Sequence, residues 1–523
     1  MQLPVKLSSI NKEWDIIIIG GGITGAGIFR QAVQEGLKVL LVEKDDYASK
    51  TSSSSSKLVH GGLRYLKEGK IFLTKASVLE RERLMKEAPG LVTNLGFLMP
   101  VYKDRGTSKW LLRMGLSLYD VIAMKKRHQY FNKIEFIQQV PNIDQNGLLG
   151  GFLFFDAQVD DVRLVLRLIW ESINDGGTAL NYTEALQIVR DSSGNVQGIN
   201  LKDVENNYER TLLTKVIVNA TGVWAEKLHP CPNPKLHIRP LRGSHIIFPT
   251  KALPLKQSLS FTHPEDNRPI FAFPWEGGVV FGTTDVDHAG DLNTLPRITN
   301  DEVEYLMYGL HSILPSLKIS ADQYISTYAG LRPILTEGKL APSKESREHE
   351  IWVDKGLISI TGGKLTTFRL LAIDTLKQVY RFNKGKRKSS RFKEKFKSFS
   401  PIDFDLLSSD NLSADISLRI SGRYGIQGFK EIQKADKENL ETIPGTTILW
   451  AELAYVAQHE QVHHLDDLLL RRVRLGLLSP DGGKKHIQRI QELCEPLLGW
   501  DDKRWNNEIE RYNNIWTKRH KMP

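Results

Sequence analysis

A short apolar run that ends in a cluster of glycines constrains the fold of this chain more than any other feature. Residues 15–19 read DIIII, residues 20–25 read GGGITG, and a second apolar run, KVLLVEK, covers 38–44. The segment between them, AGIFRQAVQEG, has the apolar spacing of a helix. A strand, a glycine turn, a helix and a second strand of this length predict a βαβ unit. Because both strands are apolar throughout, we expect a parallel sheet that is buried on both faces.

The glycines of this turn have the spacing of a dinucleotide-binding site. Gly20, Gly22 and Gly25 form G-x-G-x-x-G; the first permits a tight turn, the second lets the backbone approach a pyrophosphate, and the third lets the helix pack on the strand. The helix N terminus directs free N–H groups at the phosphates. Glu43 ends the second strand, where a carboxylate can accept hydrogen bonds from an adenosine ribose. The alternative is a glycine-rich turn in an unrelated α/β fold.

Two later segments favour FAD over NAD as the dinucleotide. A buried strand ends in NATG at 219–222, and SITGGKLTTF at 359–368 places a glycine pair before the start of a helix. Glycine contacts so widely separated along the chain suit an extended flavin dinucleotide. A second G-x-G-x-x-G, which NAD(P)H would need, is absent from the sequence.

Composition limits the compartment and the partners. The 523 residues allow two or three domains, and the formal charge of +10 suits an anionic substrate, an anionic membrane surface or nucleic acid. Cys231 and Cys494 are too few for a disulfide framework or a thiolate metal cluster, which favours a reducing compartment. The sequence predicts neither a signal peptide nor a membrane-spanning helix.

Seven motifs then resemble one family, in that family's order. They are IIGGGITGAG, TSSSSSKLVHGGLRYL, NATGVW, GSHIIFP, FGTTDVD, YAGLRPI and GGKLTTFR. Together they resemble the FAD-dependent, quinone-linked glycerol-3-phosphate dehydrogenases. The segment AELAYVAQHEQVHHLDDLLLRRVRLGL is similar to the helical C-terminal domain of the same family, so the resemblance runs from about residue 14 to residue 477.

The resemblance implies an α/β (α+β) fold with three parts. We expect an FAD-binding Rossmann-type domain, an interleaved substrate domain with a mixed or antiparallel sheet, and a helical C-terminal domain. A basic segment, KGKRKSSRFKEKFKS, lacks apolar periodicity and predicts an exposed linker. The expected limits are 1–383 for the oxidoreductase core (βαβ unit 14–45, substrate or cap regions about 70–160 and 235–345), 384–400 for the linker and 401–523 for the helical domain.

The resemblance also implies where FAD is held. The implied contacts are Gly20, Gly22, Thr24, Gly25 and Glu43 in the βαβ unit, Thr51, Ser52, Ser53, Ser56, Lys57, Leu58 and His60 in and after the serine run, and Ala185, Thr221, Gly222, Gly363, Lys364, Leu365 and Thr366 further along. Small hydroxylated residues let a loop press against a flavin where bulkier side chains would clash. Without the resemblance, the same residues can be interpreted as a solvated serine loop followed by a lysine whose charged end reaches the solvent.

Two arginines are the candidates for binding a substrate phosphate. The planar guanidinium of Arg64 or Arg332 matches phosphate oxygens in a bidentate pair, and Tyr65 is a further candidate contact. Lys364 is a candidate to stabilise negative charge on the reduced flavin or on a developing alkoxide. The alternatives are surface salt bridges for the arginines and a core aromatic for Tyr65.

Two histidines are candidates for the base that removes the hydroxyl proton. A histidine near neutral pKa suits this step. By resemblance His60 lies closer to the flavin, so we rank it before His245. Either could instead be a hydrogen-bonded histidine of the core.

Three basic or histidine-rich segments leave alternatives open. HEQVH at 459–463 fits a zinc motif, but we expect no metal and interpret it as a solvated helix face. The 384–400 segment could be solvated chain, a nucleic-acid contact or a membrane contact. The segment 108–131, SKWLLRMGLSLYDVIAMKKRHQYF, could lie in a membrane interface or be a buried helix of the cap.

The expected function is oxidation of sn-glycerol 3-phosphate to dihydroxyacetone phosphate, with electrons passed through FAD to a membrane quinone. The expected enzyme is cytoplasmic and peripheral on the inner face of the cell membrane, contacts an anionic membrane surface, binds no nucleic acid and could form a homodimer. Rival functions are a glycerol-3-phosphate oxidase that makes hydrogen peroxide from oxygen, another amine or hydroxy-acid oxidase, a flavin-containing RNA-binding protein and a non-catalytic flavoprotein.

Overall fold

The computed structural model describes residues 5–67, 69–125, 127–233, 236–336, 349–382, 397–409 and 411–523, without the side chains at 64 and 67. Within these ranges the strands are β1 (Ile16–Ile19), β2 (Val39–Val42), β3 (Leu58–Val59), β4 (Val92–Tyr102), β5 (Gln129–Asn132), β6 (Leu148–Val159), β7 (Thr178–Leu180), β8 (Thr183–Arg190), β9 (Val196–Asp203), β10 (Tyr208–Leu213), β11 (Ile217–Asn219), β12 (His237–Pro249), β13 (Ser258–Thr262), β14 (Pro269–Trp275), β15 (Gly278–Gly282), β16 (Val286–Asp287), β17 (Ser326–Thr336), β18 (His349–Asp354) and β19 (Leu357–Gly362).

The α-helices of the same ranges include long and short segments. They are α1 (Ile23–Gln34), α2 (Leu63–Lys67), α3 (Ile71–Glu87), α4 (Lys109–Ala123), α5 (Lys133–Gln139), α6 (Asp161–Asn174), α7 (Ala225–Leu228), α8 (Asn300–Ile313), α9 (Phe368–Phe382), α10 (Ala414–Ile432), α11 (Trp450–His459), α12 (Leu475–Leu478), α13 (Ile487–Leu498) and α14 (Asp502–Arg519).

The predicted βαβ unit forms the centre of a six-stranded sheet with the order β18-β19-β11-β1-β2-β7. β1 pairs in parallel with β2 on one side and β11 on the other. Every residue of β1 and β2 is buried, which explains their continuous apolar sequence. The prediction of a parallel, doubly buried sheet is therefore confirmed for these strands, while the edge strand β18 is antiparallel to β19.

A second, larger sheet is mostly antiparallel and lies against the first. Its order is β16-β12-β15-β14-β13-β4-β6-β3, with β17 on β12 and β5 on β6. β4 and β6 pair along nearly their whole length, although they are separated in the chain by α4, β5 and α5. This is the mixed sheet expected for the substrate-binding part, and all of its strands except β3 fall in the two regions expected for that part.

The segment that follows α6 divides between two sheets. It forms β7, which pairs with β2, and then β8, which pairs with β9 in a three-stranded sheet. A turn at 191–195 connects β8 to β9. The Asp191 carboxylate accepts hydrogen bonds from the backbone N–H groups of Ser193 (2.9 Å) and Asn195 (2.8 Å), which fixes this turn.

The C-terminal region is helical, as predicted, but its histidine pair is not on a solvated helix face. α11 ends at His459, so the H-E-x-x-H pattern is not carried by one helix. Glu460 is buried, and its two carboxylate oxygens accept from Arg163 at 2.7 and 2.8 Å. The prediction for this segment is wrong because a buried arginine of α6 pairs with the carboxylate.

Most of the predicted linker lies outside the described residues. Its last part, 397–400, is described, and there Ser398 and Phe399 are buried rather than exposed. The Arg30 guanidinium donates to the Ser398 carbonyl at 3.0 Å. The expectation of an exposed chain is wrong for these two residues, because they pack against α1.

Candidate active site

A cavity of about 1690 Å³ lies between the two large sheets. Its walls include the loops at the carboxyl ends of β1, β2, β11 and β19 on one side, and Phe97, Phe154 and Phe271 of the larger sheet on the other. Pockets for drug-sized ligands are roughly 300–1,000 Å³. This cavity is therefore large enough for an extended ligand together with a second, smaller one.

The glycine turn forms one end of the cavity and leaves no room for a side chain at Gly20 or Gly25. Gly20 has φ +111°, and a Cβ on it would lie 2.6 Å from the Ala220 carbonyl oxygen. A Cβ on Gly25 would lie 1.9 Å from the Gly20 carbonyl oxygen. These contacts bring β1, β11 and the N terminus of α1 together, so that the N terminus of α1 faces the cavity, as an anion site requires.

Glu43 lies in the cavity wall beside this turn. Its carboxylate accepts hydrogen bonds from the backbone N–H groups of Gly21 (2.8 Å) and Asp45 (3.1 Å). Burial raises the pKa of Glu43, against the effect of these two bonds. The carboxylate is thus fixed at the end of β2, and its contact with an adenosine ribose stays a prediction.

The serine loop, residues 51–56, forms a side wall of the cavity. The Ser52 hydroxyl accepts from the Ile23 N–H at 2.9 Å, at the first turn of α1, and the Thr51 hydroxyl donates to the Leu331 carbonyl at 2.6 Å. Thr51, Ser52, Ser54, Ser55 and Ser56 line the cavity. The solvated-loop alternative is wrong, because this loop is packed between α1 and β17.

Ser53 and Lys57, two of the implied FAD contacts, have side chains that face away from the cavity. The Ser53 hydroxyl donates to the Lys50 carbonyl at 2.9 Å. The Lys57 side chain is fully buried, and its Nζ lies 3.0 Å from Asp161 Oδ1. Burial, together with Arg474, lowers the pKa of Lys57 to about 8. A side-chain contact of either residue with FAD is therefore not supported.

Among the remaining implied FAD contacts, Gly25 does not line the cavity and the others do. Gly25 acts inside the turn and does not line the cavity. The cavity wall includes Gly20, Gly22, Thr24, Leu58, His60, Ala185, Thr221, Gly222, Gly363, Lys364, Leu365 and Thr366.

His60, Tyr65 and Lys364 meet at the far side of the serine loop. All three line the cavity. The His60 and Tyr65 rings are stacked with centroids 6.4 Å apart, and the Lys364 Nζ lies 3.6 Å from the Tyr65 ring centroid. The Tyr65 ring is buried, so it is both part of the core and part of the wall. The arrangement puts a histidine and a cation next to one aromatic ring.

A buried carboxylate fixes the backbone that follows His60. Asp156 accepts from the Gly61 N–H at 3.0 Å and from the Tyr119 hydroxyl at 2.7 Å. A Cβ on Gly61 would lie 2.2 Å from that hydroxyl, which explains why a glycine follows the histidine. Burial raises the pKa of Tyr119, so the hydroxyl stays protonated and donates. Sequence reasoning missed Asp156 and Tyr119, because neither lies in a motif.

Arg332 belongs to a charge cluster with a second arginine that sequence reasoning missed. Arg332 Nη1 lies 2.7 Å from Asp285 Oδ1, and Arg268 Nη2 lies 3.4 Å from the other oxygen of the same carboxylate. Arg332 also donates to the Thr283 hydroxyl at 3.1 Å. Both arginines line the cavity, so the cluster brings two guanidinium groups to one part of the cavity wall. Asp285 lies in the FGTTDVD motif, and this motif is the sequence signal from which the charge cluster could have been found.

Two predicted site residues, Arg64 and His245, are not among the described side chains that line the cavity. The side chain of Arg64 lies outside the described part of the chain, so its predicted phosphate contact stays a prediction. His245 is buried behind the serine loop and does not line the cavity. Its Nε2 lies 2.9 Å from the Ser56 hydroxyl, and burial, Arg332 and Lys57 lower its pKa well below the usual value. The ranking of His60 before His245 agrees with this placement.

Comparison with known proteins decides the family. Residues 15–369 match the model described as FAD dependent oxidoreductase, and residues 374–505 match the C-terminal domain of alpha-glycerophosphate oxidase. The chain is 31% identical to an aerobic glycerol-3-phosphate dehydrogenase of Staphylococcus haemolyticus, over 97% of this chain and 95% of the relative. A protein of the same name from Staphylococcus aureus is 32% identical over 90% of this chain and 88% of its own length. The chain belongs to the FAD-dependent glycerol-3-phosphate dehydrogenase family.

Solved structures agree with this family. The glycerol-3-phosphate dehydrogenase from Bacillus halodurans, complexed with FAD, has a TM-score of 0.77 and 26% identity, and the match covers 97% of this chain and 95% of that one. An L-alpha-glycerophosphate oxidase from Mycoplasma pneumoniae with FAD bound has a TM-score of 0.58 and 19% identity, covering 75% of this chain and all of that one. The second match shows the shared fold alone.

The residues of the cavity fit FAD, the family's cofactor. The turn at Gly20 and Gly22 leaves space where backbone N–H groups can receive a pyrophosphate, and Glu43 is fixed beside it. Backbone and hydroxyl groups of the serine loop and of Gly363–Thr366 line the continuation of the cavity toward His60. These residues would hold the dinucleotide in an extended form.

The other end of the cavity reaches an exposed apolar helix. The 108–131 segment forms α4 and β5, and the exposed fraction is 71% for Trp110, 66% for Met114 and 71% for Val121. Leu116 and Tyr119, on the opposite face, are buried. Neither prediction for this segment is complete, because one face is core and the other is exposed. No helix among the described residues is long and apolar enough to cross a membrane.

Proposed function

We propose that the protein oxidises sn-glycerol 3-phosphate to dihydroxyacetone phosphate and passes the electrons to a membrane quinone. The observation that carries the substrate is the pair of cavity arginines, Arg332 and Arg268, which both pair with Asp285. Two guanidinium groups close together in the cavity wall suit the oxygens of a phosphate. The names and high coverage of the relatives support the same substrate.

The phosphate is proposed to bind the guanidinium groups of Arg332 and Arg268, with Arg64 as a further candidate. Planar guanidinium groups donate two parallel hydrogen bonds to phosphate oxygens, and Asp285 fixes the orientation of both forks. The Lys364 side chain lines another part of the cavity wall. Its ammonium would stabilise negative charge at the alcohol oxygen. The phosphate and the alcohol are thereby held at two separate positive groups.

His60 is proposed to accept the hydroxyl proton of the substrate. When bound, FAD accepts the hydrogen at C2 as hydride, so that the alcohol becomes a ketone and loses two electrons. His60 lines the cavity, and its backbone is fixed by the Gly61–Asp156 bond. His245 lies behind Ser56 and has a lowered pKa, so it is suited to hold the Ser56 hydroxyl rather than to contact substrate.

The quinone and the membrane are proposed from the apolar end of the cavity. Leu111, Met114 and Leu118 of α4 line the cavity and are also exposed on the outer surface, so an apolar molecule could pass between a lipid phase and the cavity beside this helix. Lys109 and Arg113 lie on the same helix and would attract an anionic surface. We therefore propose a cytoplasmic enzyme that is peripheral on the inner face of the cell membrane.

The first experiment is anaerobic reduction of the purified protein with glycerol 3-phosphate. We expect the oxidised-flavin absorbance near ~450 nm to disappear, and glycerol without phosphate to have no such effect. A flavin that stays oxidised would reject the substrate. A quinone is then added to one half of the reduced sample and oxygen to the other. Faster reoxidation by oxygen, with stoichiometric hydrogen peroxide, would replace the dehydrogenase with an oxidase.

A further inference from the structure

The C-terminal helical region contacts the segment that carries the serine loop at both of its ends. At the first end, Asp46 is fully buried and pairs with Arg471 (2.5 Å) and Arg472 (2.6 Å). The Tyr47 hydroxyl donates to the Gln461 side chain at 3.0 Å. Despite burial, Arg472 and Arg471 hold the pKa of Asp46 well below its usual value. The carboxylate therefore stays charged and paired with both arginines.

At the second end, Arg474 reaches the backbone of the serine loop itself. Its Nη2 donates to the Ser53 carbonyl at 2.9 Å and to Asp161 Oδ1 at 3.3 Å. Its Nη1 donates to the Leu470 carbonyl at 2.9 Å, which fixes the guanidinium from behind. The Arg474 side chain is fully buried. One guanidinium thus connects the C-terminal region to the loop and to α6.

Asp161 completes this second anchor. Its Oδ2 accepts from the Ser55 N–H (3.0 Å) and from the Ser55 hydroxyl (2.7 Å). Its Oδ1 pairs with the Lys57 Nζ at 3.0 Å, and that ammonium also donates to the Ser53 carbonyl at 3.3 Å. Hydrogen bonds and an ion pair therefore hold the outer side of the loop at Ser53, Ser55 and Lys57, while the inner side of the loop lines the cavity.

The backbone conformation at this anchor is uncommon on both sides. Arg474 has φ +63° and Lys57 has φ +53°. Residues other than glycine take up this left-handed region at an energetic cost, and such conformations persist only where the surroundings fix them. Arg474 and Lys57, whose side chains both bind Asp161, thus both have a left-handed backbone conformation.

We propose that Arg474 is a positioning residue for the cofactor: through Ser53 and Asp161 it holds the serine loop in the shape that retains FAD. The C-terminal region thereby supports a binding site whose described wall residues all lie between residues 19 and 366. This inference rests on the proposed place of FAD in the cavity, and it is independent of the proposed substrate and acceptor.

The test measures release of FAD from the holoenzyme, as the gain in free-flavin fluorescence after dilution. Arg474→Lys keeps the charge but loses the fork that reaches Ser53 and Asp161 together. We expect release at least 10-fold faster than in the wild type. A second variant, Arg474→Gln, leaves Asp161 paired with Lys57 (3.0 Å) and Asp160, the other buried carboxylate beside Arg474, paired with Arg423 (3.6 Å). Neither carboxylate is stranded, and we expect the same acceleration.

Arg167→Lys is the matched control. Arg167 is also a buried arginine that donates across the same boundary, to the carbonyls of Ser421 (3.0 Å) and Gly422 (2.8 Å). It has no bond to the 46–57 segment, so we expect FAD release within 2-fold of the wild type. Thermal unfolding followed by circular dichroism compares the stability of all variants.

Two results would overturn the inference. In the first, both Arg474 variants release FAD at the wild-type rate. In the second, Arg474→Lys and Arg167→Lys accelerate FAD release equally and in proportion to their loss of thermal stability. Arg474 would then contribute only general packing. The place of FAD is checked separately by the Gly22 variants described below, and none of these measurements contains glycerol 3-phosphate or quinone.

Discussion

Gly22 occupies the N-cap of α1 in an extended conformation, with φ −82° and ψ −175°, which any residue can adopt. A Cβ there would lie 3.2 Å from the Ser52 hydroxyl and otherwise point toward open space. This glycine is therefore unlike Gly20 and Gly25, whose neighbours exclude every side chain. At the scale of single residues, the site contains positions that the fold requires and positions that only the ligand requires.

Gly22→Asp separates these two requirements. Aspartate is a favourable N-cap, so the variant should fold, but its carboxylate would lie where the pyrophosphate is expected. Two like charges about 4 Å apart repel by about 1–4 kcal/mol, so we expect FAD release at least 10-fold faster than in Gly22→Asn. The asparagine variant has the same size and capping ability without the charge. Equal release from both variants would place FAD elsewhere.

The two histidines make a second comparison at this scale. His60→Asn should slow anaerobic flavin reduction by glycerol 3-phosphate by roughly 10²–10⁴-fold, the usual contribution of a general base. His245→Asn should slow it by less than about 10-fold, because an amide can still bond the Ser56 hydroxyl. Stopped-flow absorbance of the flavin measures both. If His60→Asn reacts at the wild-type rate while His245→Asn is inactive, the assignment of the base is reversed.

At the scale of elements, α4 joins the cavity to the outside of the molecule. Its inner face supplies Leu116 and Tyr119 to the core, and the Tyr119 hydroxyl is bonded to the carboxylate that fixes the backbone after His60. Its outer face exposes apolar side chains, together with Phe72 of α3, which is 88% exposed. An exposed apolar face of this kind marks an interaction surface.

Val121→Asp tests whether this surface binds a membrane. Val121 is exposed and does not line the cavity. Burial of an apolar side chain is worth about 1.5–3 kcal/mol, so we expect binding to vesicles that contain phosphatidylglycerol to weaken at least 10-fold in cosedimentation. Val204→Asp, in the exposed turn between β9 and β10, is the matched control and should bind as the wild type does. Unchanged binding by Val121→Asp would remove α4 from the membrane contact.

At the scale of the whole molecule, buried ion pairs join the C-terminal region to the FAD-binding part. His464 contacts Glu508 of α14 at 3.0 Å and Glu205 of the β9–β10 turn at 3.3 Å. Although burial opposes it, the hydrogen bonds to Glu205 and Glu508 raise the pKa of His464 to about 9. The charged imidazole therefore stabilises the folded state.

This pairing predicts how stability depends on pH. Because the folded pKa exceeds the unfolded value of 6.5, the contribution is fully present below about pH 6.5 and is lost as the pH rises through 9. We expect the free energy of unfolding of the wild type to fall across this window, by up to about 1.4 kcal/mol per unit of pKa shift. His464→Gln should be less stable at pH 6.5 and show a flatter profile in urea unfolding. Parallel profiles for the two proteins would assign the pH dependence to other groups.

The sequence by itself determined the features that depend on neighbours along the chain. The βαβ unit, the glycine turn and the position of Glu43 follow from strand periodicity and from the space that a glycine leaves, and these act within about 30 residues. The family motifs likewise contain His60, Tyr65, Arg332 and Lys364, all of which line the cavity.

The tertiary structure alone decided the contacts between distant segments. Arg474 meets Ser53, which is 421 residues away, and His464 meets Glu205 across 259 residues. Arg268 acquires its role only because β14 brings it to the carboxylate that Arg332 already pairs with. A charged residue looks the same in the sequence whether it is solvated or buried in a pair, and packing determines which of the two it becomes. That is why the inward or outward direction of Lys57 and Glu460 could not be predicted from the residues themselves.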